Sequence, residues 1–146
     1  MRRLRLALVT VAAIAATAVA PSAASALTIT SPAVTIGGAF VTCASTLTID
    51  QTSLTTWNVV SGGFTSCTPG RSVTGNFSTP WSLSALSGNA SVTGVDITVT
   101  VLGASCRFRG SLSGTMTTTL SLSGTLSLLS GGPVCPTSPT FTATYS

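Results

Sequence analysis

The sequence predicts an all-β protein, with an antiparallel β-sandwich as the first architecture and a small closed β-barrel as the alternative. Three observations carry this. Apolar residues alternate with Ser, Thr or Arg in one run after another, which is the period of a half-buried strand. Gly, Pro and Asn interrupt these runs at roughly 8–12-residue intervals, the spacing of short strands in an all-β domain. No segment after the N-terminal leader has helical periodicity, so no helix is expected outside that leader.

The leader is read first. Arg2, Arg3 and Arg5 precede an apolar run from Leu6 to Ala20, and Ala24-Ser25-Ala26 offers small residues for processing. Charge, apolar run and cleavage site together describe a secretory signal peptide over residues 1–26. The apolar run is shorter than the roughly 20 residues that span a bilayer, so no transmembrane segment is expected after cleavage. Residues 27–146 are expected to form a single disulfide-stabilised β domain, secreted or held at the cell surface.

Within that domain Leu27–Thr30 and Ala33–Ile36 read as one edge strand interrupted at Ser31-Pro32. Gly37-Gly38 turns the chain into a long strand with Val41, Cys43, Leu47 and Ile49 on one face. Leu54 to Val60 forms the next strand, with Trp57 and Val59 inward. Gly62-Gly63 then reads as a turn, Phe64–Cys67 as a short strand, and Pro69-Gly70 as its stop. Val73, Gly75 and Phe77 share a face before Pro80. Trp81, Leu83 and Ala85 share another, up to the turn at Ser87-Gly88-Asn89.

From Ala90 the apolar positions are even, and after Gly94 they become odd (Val95, Ile97, Val99, Val101). One extra residue at Thr93-Gly94 restores both sets to one face, which predicts a β-bulge. Between Cys106 and Cys135 nearly every apolar residue is again even, as at Phe108, Leu112, Met116, Leu120, Leu122, Leu126 and Leu128. Ser113-Gly114 and Ser123-Gly124 read as turns that fold this stretch into a meander. Leu-Ser-Gly occurs four times at uneven spacing, so it reads as one turn recipe, a last buried Leu before a reversal, and not as a solenoid repeat. Phe141, Ala143 and Tyr145 make the final strand. Trp57, Trp81 and Tyr145 alternate with apolar residues and are expected in the core.

Four cysteines in an exported chain are expected to be oxidised. Of the three pairings, Cys43–Cys67 with Cys106–Cys135 closes the shortest loops and is the expected one. Metal ligation or redox chemistry requires CxxC-type spacing or histidines, and the chain has neither. No metal and no cofactor is expected.

Charge narrows the function classes. The chain carries six Arg, two Asp and no Lys, Glu or His, for a net +4. Three of the arginines belong to the leader, and Arg71, Arg107 and Arg109 then face Asp50 and Asp96 at a net +1. A nucleic-acid footprint needs a basic patch, so no nucleic-acid partner is expected. A nucleophilic Ser or Thr lacks a His or Lys base, and Asp50 and Asp96 read as a turn former and an outward surface charge. No catalytic residue emerges, and the protein is expected not to be an enzyme. Arg107 and Arg109 flank Phe108 and share the outer face, which makes them the candidate surface contact for an anion. Their plainer role is to keep an exposed strand soluble and unpaired.

Cys43, Cys67, Pro80-Trp81, the run Gly103–Gly110, Cys135 and the closing Phe141–Tyr145 resemble a group of small secreted Ser/Thr/Gly-rich proteins with two disulfides from actinomycete-type bacteria. That resemblance implies export and a β body, without supplying a site. The functional expectation is a non-enzymatic binding or envelope-associated β module of unknown partner. Carriage of an apolar small molecule and self-assembly into a surface layer are the alternatives.

Overall fold

The alternation seen in the sequence becomes the pleat of a sheet whose strands are longer than those expected. A computed structural model describes residues 26–38, 40–68, 73–101 and 103–146. The signal-peptide residues 1–25, Pro69-Gly70 and Arg71 lie outside the described residues. The described residues form nine strands: β1 (Ala26–Ile36), β2 (Val41–Gln51), β3 (Thr56–Thr68), β4 (Val73–Phe77), β5 (Trp81–Leu86), β6 (Asn89–Val101), β7 (Ala104–Met116), β8 (Leu120–Ser130) and β9 (Thr140–Tyr145). No helix occurs among the described residues, so none there is long and apolar enough to cross a membrane.

The sandwich expectation is corrected. Every pairing is antiparallel, and the order β2-β1-β9-β8-β7-β6-β4-β3-β5 closes on itself through β2–β3 and β5–β6. β4 and β5 share one position between β3 and β6, so the wall is an eight-strand closed barrel. This was the stated alternative. The physical reason lies in three glycine-containing dipeptides read as turns. Gly62-Gly63 sits inside β3, Ser113-Gly114 inside β7 and Ser123-Gly124 inside β8. Cutting strands at these points gives short segments suited to two flat sheets. Left whole, strands of 11 to 13 residues are long enough to coil around a common axis.

Close approach, and not chain reversal, explains these glycines. A Cβ on Gly114 would coincide with the Ser121 carbonyl on β8, and one on Gly62 would lie 2.6 Å from the Phe77 ring and 2.8 Å from Leu47. Glycine in a strand interior marks such contacts and the tight bends of barrels. The real β7–β8 reversal is at Thr117–Thr119, where the Thr117 N–H donates to the Thr119 carbonyl. The Leu-Ser-Gly recipe fails in part: Leu112 and Leu122 are buried, but Leu86 and Leu129 are exposed.

The first strand keeps its expected interruption, a register shift between Ser31 and Val34, but it is not the expected edge strand: closure pairs it with β2 on one side and β9 on the other. Other expectations hold. β6 shifts against β7 between Val92 and Val95, with Gly94 at φ +76°, which is the anticipated bulge. The disulfides are Cys43–Cys67 and Cys106–Cys135, and no cysteine is free among the described residues. The first fastens directly opposed residues of β2 and β3. The second ties β7 to the loop between β8 and β9.

Inward side chains fill the barrel. Tyr145, Phe108, Phe141, Ile29, Ile36, Ile97 and Leu126 are each at most 1% exposed, and Trp57 and Trp81 are buried with them. Phe77 bridges Phe64 and Trp81, with ring centroids 4.8 and 4.7 Å away. The polar atoms admitted to this interior are paired. The Trp81 indole donates to the Ser78 carbonyl at 2.7 Å. Ser45 spends its single hydroxyl proton on the Gly63 carbonyl at 3.0 Å, so the Tyr145 hydroxyl donates to Ser45 Oγ at 2.9 Å. Burial pushes the Tyr145 phenol well above its ordinary pKa.

Candidate functional site: the outer wall and its arginine pair

Strand alternation that sends Leu, Ile and aromatics inward sends Ser and Thr outward. Register then decides which of these meet. Following opposed residues around the barrel gives Thr56, Ser84, Ser91, Ser113, Ser123, Thr142, Thr35, Thr42 and Thr68 in one unbroken row. The row leaves from the first residue of β3 and returns to its last, so it winds once round the wall as a helical belt. Tilted strands produce this offset. None of the nine is buried. Ser84 and Ser91 hydroxyls are 2.9 Å apart, and those of Thr35 and Thr142 are hydrogen-bonded. A shallow groove of about 300 Å³ lies where the belt crosses β7, β8 and β9, lined by Gly114, Thr115, Ser121, Leu122, Ser123, Thr142, Ala143 and Thr144.

The expected surface contact, Arg107 and Arg109, projects from the outer face of β7 while Phe108 between them is fully buried. Arg107 is opposed by Thr98 on β6 and Ser130 on β8, and Arg109 by Asp96 and Ser127. Sequence reasoning placed Asp96 as an outward surface charge. It does lie on the outer wall, yet its side chain is only 9% exposed, because the two guanidinium groups cover it. Arg107 Nε donates to Oδ1 at 3.0 Å and Nη2 to Oδ2 at 2.7 Å, a two-pronged pair that orients the arginine. Arg109 Nε stands 3.6 Å from Oδ2, beyond hydrogen-bond distance. The hydrogen bonds from Arg107, aided by both positive charges, hold the Asp96 carboxyl below its ordinary pKa against the opposing effect of burial.

The two aspartates are not brought together. Asp50 sits on β2 opposite Asn58 and Ala26, and β3 and β4 separate it from Asp96 on β6. No group of three metal-ligating His, Cys, Asp or Glu side chains occurs among the described residues. The belt and the Asp96 contact went unseen in the sequence because both depend on register. The one available signal was parity: Asp96, Arg107 and Arg109 all occupy outward positions of consecutive strands.

Comparison with family models, with curated proteins and with solved structures gives no match to this chain.

Proposed function

We propose that this protein is an exported, non-enzymatic binding module of the cell envelope or extracellular space, and that it works through the outer wall of its barrel. The single observation carrying this reading is the helical belt of hydroxyls on a wall fastened by two disulfides. Closed pairing leaves no free sheet edge between strands, so contacts fall to side chains on the outer face. Those side chains are short, uncharged and able both to donate and to accept, which suits a polymer surface rich in hydroxyl or amide groups. Disulfides suit an oxidising compartment, in keeping with the leader's composition. The bulky side chains inside the barrel favour the outer wall over a lumen that carries an apolar ligand.

The test is co-sedimentation of the purified, oxidised protein with envelope fractions. Retention that saturates is expected, with the single change Ser113→Lys reducing it at unchanged thermal stability. Protein that remains in the supernatant with every fraction refutes the reading.

A further inference from the structure

Asp96 is shared between two guanidinium groups, and the sharing is unequal. Arg107 commits Nε and Nη2 to the carboxylate. Arg109 lies alongside with Nε 3.6 Å from Oδ2 and its side chain 58% exposed, and it makes no hydrogen bond to Asp96, so its N–H donors are open to a ligand. The cluster carries two positive charges and one negative, so it presents a net positive charge. Hydroxyl residues oppose it in register, Thr98 and Ser130 beside Arg107 and Ser127 beside Arg109, and the exposed Leu129 lies at the register shift between Ser130 and Leu128. A carboxylate sunk in the wall orients Arg107 by two hydrogen bonds and attracts Arg109 beside it, which gathers both guanidinium groups at one place on the wall.

From this we infer that Arg109, with Arg107 and the flanking Ser127 and Ser130 hydroxyls, is a receptor for a phosphate-type oxyanion, free or carried as a phosphodiester on an envelope polymer. The planar guanidinium fork matches two oxygens of a tetrahedral anion. The Ser127 and Ser130 hydroxyls, both on β8, donate to the remaining ones. Asp96 is a positioning residue and does not touch the anion. The inference rests on the outer wall being the binding surface and names the ligand chemistry of one part of it.

The experiment uses the full exported chain at low ionic strength, titrated first with inorganic phosphate and then with glycerophosphodiester, with chloride as the control. Arginine Nε–H resonances are followed by NMR. A saturable shift of the Arg109 signal is expected with both phosphates, at millimolar affinity, and not with chloride. Arg109→Gln should weaken phosphate binding at least tenfold with the melting temperature unchanged, and Arg109→Lys should recover part of the loss. Equal shifts with chloride, or no shift with either phosphate, overturn the assignment. So does Arg109→Gln protein that sediments with phosphodiester-bearing envelope as wild type does; the binding module then stands and this site falls. Phosphate binding by wild type without envelope retention supports the site and removes the module.

Discussion

Ser45, Tyr145 and Asp96 show how few polar side chains this fold buries and how completely it pairs them. Ser45 relays a chain from the Tyr145 hydroxyl to the Gly63 carbonyl. Tyr145→Phe removes one neutral hydrogen bond and should cost about 1 kcal/mol in denaturant unfolding. Ser45→Ala strands a buried phenol and a carbonyl together, and should cost more, about 2 kcal/mol. Equal losses would show that the relay does not exist. For Asp96 the sign is set by its lowered pKa. The unfolded chain then binds its proton more readily than the folded one, so the pair contributes stability above the ordinary value of 3.8 and loses it as the pH falls further. Asp96→Asn should lower the melting temperature at pH 7, and the difference from wild type should shrink below about pH 4.

At the scale of the element, the same glycines separate what the sequence told from what it concealed. Periodicity placed β1, β2, β6 and β9, the bulge after Val92 and the inward Trp57, Trp81 and Tyr145, because each depends on local alternation alone. Gly62, Gly114 and Gly124 misled, since Ser-Gly and Gly-Gly serve equally as turn formers and as points where two backbones nearly touch. Only the partner strand distinguishes these uses, and a single sequence does not show it. The distinction is measurable. Gly114→Ala drives a methyl into the Ser121 carbonyl and should cost at least 3 kcal/mol or prevent folding, because backbone cannot step aside. Gly132→Ala meets nothing within 4 Å and should change stability by less than about 0.5 kcal/mol.

For the whole molecule, stability is expected to lean on the disulfides, because the described ion pairs form one small cluster around Asp96. Their ligating residues are 24 and 29 apart in sequence, and loops of that length are worth about 3–4 kcal/mol each on the chain-entropy model. Replacing Cys106 and Cys135 by Ser should therefore lower the unfolding free energy by roughly that amount, read from urea melts with and without reductant. Wild type that melts identically under both conditions would contradict this. The inner and outer faces were legible in the sequence, and the candidate arginines stand where alternation put them. Closure was not, since it is decided by which strands meet across the longest separations in the chain.

The seam between β1 and β9 joins the first and last strands of the barrel. Two opposed pairs join its one end, Thr35 to Thr142 and Ile36 to Phe141, and mutual backbone bonds between Thr30 and Ser146, at 3.0 and 2.9 Å, join its other. First and last strands thus lie side by side, and a tether from residue 146 back to residue 26 has little distance to cross. A circular permutant opened at Thr117–Thr119 should consequently keep the barrel, whereas shortening the wild-type chain before Thr140 would leave β1 and β8 with bare flanks and invite neighbouring molecules to supply the missing stave.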